Sequence, residues 1–281
     1  MLKRVVTLLI LLSTLLGCAT NPITGRSQLL LISEEDSISA SQDAYGKMLE
    51  PLAEDGKIDN DAEVAERIHE ITAKLIAQAI KYRPETEEWD WRVKVIDDPE
   101  TINAWCMAGG KMAIYTGLID KLDATDDELA QVMGHEIAHA LLAHTAERMS
   151  VALATSLAVT TFAITQDADP LALTGASLAA ALAIQLPNSR ESETEADVVG
   201  IELAARAGYD PNAAVTLWEK MAEATGNDSD FDFLSTHPAP KKRMEELGKL
   251  VPEMMPYYES DEERPVYPLQ TDPPETDPPD A

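Results

Sequence analysis

The sequence predicts an α+β fold that is mainly α, with one small sheet. Apolar residues recur at helical spacing in several segments between residues 33 and 251. One region, around residues 89–118, has instead the alternation and paired glycines of short strands. The chain has 281 residues, of which 45% are hydrophobic, so it can bury a sizeable core.

The amino-terminal sequence MLKRVVTLLILLSTLLGCAT has the layout of an export signal. Lys3 and Arg4 precede an apolar run that is too short to span a bilayer comfortably. The run ends in LLGC, which resembles the site at which bacterial lipoproteins are cut and acylated. We therefore expect a signal peptide over residues 1–17, a lipid on Cys18 and a tether over residues 18–32. The alternative is ordinary secretion with a free cysteine.

Two amphipathic helices begin the predicted domain. The spacing of apolar residues predicts one from Ser33 to about Glu50 and another from Asp61 to Lys81, with Ser and Asp as caps. The segment WDWRVKVIDDP then alternates as a strand does, and INAWCMAGGKMAIYTGL contains two further extended pieces that fold about a Gly-Gly pair. We expect a small antiparallel sheet here.

A helix follows this sheet, and Asp123, Thr125 and Asp126 are its candidate caps. Two apolar stretches over residues 151–186 come next and are each too short to span a membrane. We expect them to form a buried or interfacial helical hairpin.

Three more helices are predicted after the hairpin. One runs through RESETEADVVGIELAARAG and ends at Gly208, the next follows Pro211, and a short basic one runs through PKKRMEEL. Residues 252–281 are rich in proline and acid and should form a disordered tail.

The charge and the cysteines exclude two classes of protein. A formal net charge of −28 argues against nucleic acid as a partner, because such an acidic surface repels phosphate. If Cys18 carries lipid, Cys106 has no partner within the chain, so a disulfide framework is excluded.

The segment VMGHEIAHALLAH has the pattern of a metal site on a helix. His135 and His139 are four residues apart, so both lie on one helical face and can converge on one ion. Glu136 is displaced from His135 by about 100°, which lets its carboxylate reach a water on the metal without occupying a ligand position. The three residues therefore predict two ligands and a general base.

A catalytic zinc needs a third ligand, which is commonly a carboxylate when the first two are histidines. In ESETEAD, Glu193 and Asp197 share a helical face, whereas Glu195 points elsewhere. One of the two can bind the metal and the other can accept the ring N–H of a ligating histidine. The spacing does not decide which is which.

HEIAH and ETEAD, with INAWCMAGGKMAIYTGL before them and STHPAPKKRMEEL after them, resemble the HtpX-like family of zinc metallopeptidases. The likeness is strongest to the exported, BepA-like lipoprotein branch. It implies a gluzincin-like domain over residues 33–251 with one Zn²⁺ per chain and Glu193 as the third ligand. It also implies a supporting or proton-donating role for Asp197, and a His237 that can move to the metal or stabilise the oxyanion.

The resemblance implies a zinc endopeptidase that hydrolyses misfolded or misassembled cell-envelope proteins, with Glu136 as the general base. Ala19 after Cys18 resembles the pattern of lipoproteins sent to the outer membrane, so we expect the protein on its inner leaflet, facing the periplasm. The oligomeric state is not predicted. The strand of Met112, Ala113, Ile114 and Tyr115 is hypothesised to bind extended substrate as an exposed edge.

Two other functions fit the same residues. The first is a latent, chaperone-like binder whose zinc is kept closed by the hairpin or by His237. The second is a structural zinc protein without catalysis. For single residues, the alternatives are a solvated helix face for the HEIAH segment, an ordinary surface acid at Glu193 and a plain loop histidine at His237. His144 is expected to be structural, because it lies off the metal-facing stripe.

Overall fold

Helices dominate the computed structural model, which describes residues 18–21, 23–166, 190–225, 233, 237 and 240–269. The helices in this part of the chain are α1 (Glu34–Glu54), α2 (Ala62–Tyr82), α3 (Thr116–Lys121), α4 (Asp126–Leu141), α5 (His144–Gln166), α6 (residues 190–207), α7 (Ala213–Thr225) and α8 (Pro240–Tyr258). The strands are β1 (Cys18–Thr20), β2 (Ser27–Leu29), β3 (Arg92–Ile96), β4 (Ala104–Met107) and β5 (Lys111–Tyr115). The predicted fold class is confirmed.

The first two helices begin at their predicted caps. The hydroxyl of Ser33 accepts the backbone N–H of Asp36 at the start of α1. The carboxylate of Asp61 accepts two backbone N–H groups at the start of α2. Helix α2 then buries its apolar face against α4 and the larger sheet, so these elements share one core.

The larger sheet has the strand order β3-β5-β4 and differs from the prediction in one pairing. Strand β5 is antiparallel to β4, as expected, but it is parallel to β3. The chain reverses once between β3 and β4 and again at Gly109 and Gly110, whose φ angles are +79° and +77°. After two reversals β5 runs in the direction of β3, and it inserts between the other two strands.

The predicted substrate strand is therefore not an edge. Both sides of β5 are paired, and Met112, Ala113 and Ile114 are fully buried while Tyr115 is half-buried. An extended peptide could not add to it without displacing a neighbouring strand. The sheet edge that packs against α4 is β4.

Residues 18–32 are packed on the domain, in contrast to the predicted tether. β1 pairs with β2, and the amides of Asn21 and Gln28 both donate to the backbone carbonyl of Leu142, at 3.0 and 2.8 Å. Arg26 forms a two-bond ion pair with Glu147. These polar partners satisfy buried groups at the end of α4, which the local sequence could not show. The predicted signal peptide lies outside the described residues, as does the side chain of Cys18.

The carboxyl-terminal region also differs from the prediction, because α8 continues to Tyr258 in spite of Pro252 and Pro256. Met254 is buried in the core and the ring of Tyr257 lies 3.8 Å from the guanidinium of Arg206. This burial offsets the backbone hydrogen bonds that the prolines remove. Further on, the N–H of Tyr267 donates to the carbonyl of Ala73. The disordered tail predicted from residue 252 is thus wrong up to residue 269, and residues 270–281 lie outside the described part.

The predicted apolar hairpin is described only in its first half. Helix α5 contains the first apolar stretch, and Leu153 and Leu157 on it are exposed. The second stretch lies outside the described residues. Among the helices that the structure describes, none combines the length and the apolar character needed to cross a bilayer.

Candidate metal centre

Helix α4 is buried along its whole length from Glu128 and carries the HEIAH segment through the core. It begins with a capping box, in which Thr125 and Glu128 each accept a backbone N–H of the other. His135, Glu136 and His139 are 6%, 3% and 2% exposed. The alternative of a solvated helix face is therefore wrong.

Two glycines allow α6 to cross α4 at close range. A Cβ atom on Gly134 would lie 2.8 Å from the carbonyl oxygen of Gly200, and one on Gly200 would lie 2.8 Å from the backbone of His135. Glu193 is seven residues before Gly200, about two turns, and so projects from the same face. The crossing brings the Glu193 side chain to the two histidines.

Three donor atoms from His135, His139 and Glu193 converge at this crossing. The Nε2 atoms of the two histidines are 3.1 Å apart. The Glu193 carboxylate oxygens lie 3.4 Å from each of them. Four ligands at zinc distances of about 2.0–2.1 Å would be about 3.3 Å apart in a tetrahedron. These spacings and the nitrogen and oxygen donors fit Zn²⁺.

His237 belongs to the same cluster. Its Nδ1 atom lies 2.8 Å from Glu193 Oε2 and 3.3 Å from His135 Nε2. The donor atoms of these three residues and His139 all lie within 4.8 Å of one another. The backbone N–H of His237 donates to the carbonyl of Phe233 at 2.8 Å. His237 is buried, so it is not a plain loop histidine.

Glu136 has one engaged and one unengaged oxygen. Its Oε2 atom accepts the backbone N–H of Cys106 at 3.3 Å. Its Oε1 atom is buried and has no hydrogen-bond partner in the described part of the chain; His237 Nε2 lies 3.3 Å away but does not form a hydrogen bond with it. The side chain lines a cavity of about 590 Å³ between β4, α1 and α5, together with His139 and His237.

Asp197 supports the cluster from behind His135. Its Oδ1 atom lies 3.1 Å from Nδ1 of that ring, a distance at which the ring N–H donates to the carboxylate. In the neutral ring this bond would keep the proton on Nδ1, so that Nε2, directed at Glu193, could bind a metal. Asp197 does not line the cavity that contains Glu136, so its position favours the supporting role over proton donation.

The electrostatics keep Glu193 and His139 in the forms that bind a cation, whereas His135 holds a proton that a metal must displace. Burial raises the pKa of Glu193, but hydrogen bonds from His135, His139 and His237 outweigh it and hold the carboxyl ionised. Burial lowers the pKa of His139 well below its usual range, so its ring is neutral. At His135, burial and the Arg243 charge lower the pKa, but the two carboxylates raise it to about 9. A metal ion would replace that proton.

Arg243 is a functional residue that sequence reasoning missed. Its guanidinium donates to both oxygens of Asp197, at 2.8 and 2.5 Å, and to Glu193 Oε2 at 2.8 Å. It also lies 4.3 Å from the ring centre of Trp218. The sequence shows a basic cluster in PKKR, but only packing selects which of its cations turns inward.

His144 also has a closer connection to the cluster than the sequence suggested. It lies off the metal-facing stripe as predicted, but its Nδ1 atom is 2.8 Å from Nδ1 of His139. On its other side, Nε2 lies 3.1 Å from Glu195. Glu195 was predicted to point away from the Glu193 face, and it does so by contacting this second histidine.

Comparison with known proteins agrees with this geometry. The sequence model of peptidase family M48 matches residues 62–251. The chain is 34% identical over 247 residues to the bovine mitochondrial metalloendopeptidase OMA1, which covers 84% of this chain and 46% of the relative. It thus spans about half the length of that relative.

Bacterial proteins are similar over less of this chain than the mitochondrial relative, so the predicted stronger likeness to the exported, BepA-like branch is not borne out. The metalloprotease LoiP of Escherichia coli is 32% identical over 198 residues, which covers 68% of this chain and 75% of LoiP. A Vibrio cholerae protein, provisionally named a beta-barrel assembly-enhancing protease, is 32% identical over 213 residues, 72% of this chain and 41% of that protein. The matched region contains both helices of the cluster, the similar proteins are named as a metalloendopeptidase and a metalloprotease, and the chain therefore belongs to peptidase family M48.

Proposed function

We propose that the chain is a zinc-dependent endopeptidase in which His135, His139 and Glu193 hold the metal. The convergence of their three donor atoms beside an unpaired buried oxygen of Glu136 carries the proposal. A structural zinc site would have no use for such an oxygen, because leaving it unpaired costs free energy.

Zinc at this position would supply Lewis acidity, which lowers the pKa of water and polarises a carbonyl group. The unpaired oxygen of Glu136 would take the proton of the attacking water and pass it to the leaving amine. Its other oxygen is held by Cys106, which fixes the direction of the carboxylate. His237 Nε2 lies on the Glu136 side of the cluster, where it would donate to the developing oxyanion.

Strand β4 replaces β5 as the proposed substrate strand. The N–H of Cys106 points away from β5 and towards Glu136, so this edge of β4 borders the cavity. An extended peptide that adds to a sheet edge is held through its backbone, with little regard for its side chains. This mode of binding suits unfolded substrates of varied sequence.

The proposed location is the bacterial envelope, with a lipid on Cys18 at the inner leaflet of the outer membrane and the domain in the periplasm. Misassembled envelope proteins would then be the substrates. The export signal, the LLGC sequence and the name of the Vibrio cholerae relative support this. This proposed location depends on the amino-terminal export signal, because the similar proteins include mitochondrial as well as bacterial ones. Labelled palmitate should be incorporated and should be lost in Cys18→Ala.

The deciding experiment uses Glu136→Gln. We expect this variant to retain one zinc per chain and to lose casein cleavage by at least about a hundredfold. Glu128→Gln, which changes another buried glutamate of the same helix, is the control and should still cleave. Cleavage by the wild-type protein that survives complete chelation of the metal would reject the zinc mechanism.

A latent, chaperone-like protein is the second candidate, and the position of His237 favours it. As a fourth donor, His237 would complete a tetrahedron and exclude water. If it closes the site, His237→Ala should cleave faster than the wild type. If it stabilises the oxyanion, the same variant should lose about 10²–10³-fold in kcat.

A further inference from the structure

The two histidines of α4 are supported in different ways. Neutral imidazole binds metal through one nitrogen only when the other carries the proton, and a neighbouring acceptor normally decides this. For His135 the acceptor is the carboxylate of Asp197. For His139 the atom in that place is Nδ1 of His144, at 2.8 Å, in a ring that is fully buried.

A contact between two ring nitrogens requires that one of them carry a proton and the other not. If His139 presents its Nε2 lone pair to the cluster, its Nδ1 must be protonated and must donate. Nδ1 of His144 must then be the acceptor, which places the His144 proton on Nε2. That N–H points at Glu195 Oε2, 3.1 Å away.

Glu195 is itself held by the amino-terminal segment. The Nε–H of Arg26 donates to Glu195 Oε2 at 2.8 Å, and the remaining arms of the guanidinium donate to Glu147 at 2.7 and 2.6 Å. One carboxylate oxygen thus receives two donors, one from Arg26 and one from His144. Since this oxygen can only accept, the direction of every bond back to His139 is determined.

We propose that Arg26, Glu195 and His144 are positioning residues that fix the tautomer of His139 for metal binding. None of them touches the cavity beside Glu136 except through His139. The proposal rests on His139 being a ligand, as the proposed function holds. It makes residues of the packed segment 18–32 part of the metal centre.

The first test compares Glu195→Ala with Glu202→Ala in the full-length protein. The two glutamates are on the same helix, have side chains 13% and 15% exposed, and are each paired with an arginine. Zinc affinity is measured by competition with a chelator, and the visible spectrum of the Co²⁺ form reports the ligand geometry. We expect Glu195→Ala to bind zinc about 10–100-fold more weakly, with an altered spectrum, and Glu202→Ala to match the wild type.

A conservative variant separates positioning from general packing. Glu195→Gln can present its amide oxygen to both donors, so we expect its zinc affinity to stay within about threefold of the wild type. Equal zinc affinities and Co²⁺ spectra for Glu195→Ala and Glu202→Ala would overturn the proposal. So would a Glu195→Gln variant as weak as Glu195→Ala.

The second test is a double-mutant cycle. His144→Phe removes the acceptor, so adding Glu195→Ala to it should weaken zinc binding no further than about twofold. Additive losses of zinc affinity would show that the two residues act independently and would overturn the proposal. Urea unfolding of metal-free Glu195→Ala shows whether this variant folds. If it does not, Arg26→Met takes its place in the cycle, and we expect that variant to bind zinc about three- to tenfold more weakly.

His139→Ala separates this inference from the proposed function. If the wild-type protein binds zinc and His139→Ala does not, His139 is a ligand. The other variants then test whether Arg26, Glu195 and His144 position it. If zinc binding is the same with and without His139, the proposed ligand set fails, and the inference fails with it.

Discussion

Two carboxylates and one guanidinium are buried together behind the candidate metal site. Arg243 is 7% exposed and donates to both Asp197 and Glu193, which are themselves 8% and 4% exposed. Removing one partner of a buried ion pair leaves the other charge without compensation, which is far more costly than losing an exposed pair. The stability of the site should therefore depend on this single side chain.

Arg243→Met should destabilise the metal-free protein by about 3–5 kcal/mol. Zinc should restore part of this, because a cation bound to Glu193 replaces the lost charge. The free energy of unfolding in urea, with and without zinc, measures both effects. Arg206→Met is the control, because Arg206 also pairs with a glutamate and packs on an aromatic ring but is partly exposed. It should cost about 1 kcal/mol or less, and equal losses would contradict the argument.

At the scale of the elements, the stability of helix α4 depends on the hydrogen bonds at its amino terminus. Glu128 accepts from Thr125 in the capping box and also receives Lys220 Nζ and the Thr216 hydroxyl, at 2.7 and 2.8 Å. Burial alone would raise the pKa of Glu128, but these hydrogen bonds outweigh it and hold the pKa below the ordinary 4.5. The folded state therefore favours the ionised form.

This shift determines how stability depends on pH. Because the pKa of Glu128 is lower in the folded than in the unfolded protein, its ionised carboxylate stabilises the fold fully above pH 4.5. This stabilisation is lost as the pH falls through the folded-state pKa. The wild type should thus be more stable than Glu128→Gln at neutral pH, by an amount that shrinks below pH 4.5. Urea unfolding of both proteins between about pH 3 and pH 7 measures the difference. A difference that does not change with pH would contradict the role of the ionised carboxylate.

The crossing of α4 and α6 tolerates only glycine at its closest point. Gly200→Ala would push a methyl group against the backbone of His135, so the helices must separate. We expect a loss of about 1–3 kcal/mol in unfolding free energy, together with weaker zinc binding as Glu193 moves away. Gly46→Ala, on the exposed face of α1 with open space around it, is the matched control. It should stabilise by about 0.5–1 kcal/mol, and a Gly200→Ala variant with the same result would refute the steric argument.

At the scale of the whole molecule, the net charge of −28 should influence which substrates arrive. A field of one sign attracts chains of the opposite charge and accelerates their encounter by about tenfold or more at low salt. We expect a peptide flanked by lysines to be cleaved with a higher kcat/KM than the same peptide flanked by glutamates. The ratio should fall towards one at about 0.5 M salt, where the screening length is only about 4 Å. A ratio that is independent of salt would place the preference in local contacts.

The sequence by itself determined the features that depend on local information. Helical periodicity and capping residues located α1, α2 and α4, and a pair of glycines located the turn between β4 and β5. The four-residue spacing was enough to place His135 and His139 on one face, because the period of a helix is the same in every protein.

Only the tertiary structure decided the rest. The two carboxylate partners of Arg243 are 46 and 50 residues away in sequence, and Arg26 is 169 residues from Glu195. Contacts of this range depend on how whole helices cross, and no local period encodes that. The sheet order and the packing of residues 18–32 and 252–269 were missed for the same reason: their partners are buried groups on elements far along the chain, and only the folded protein brings them within reach.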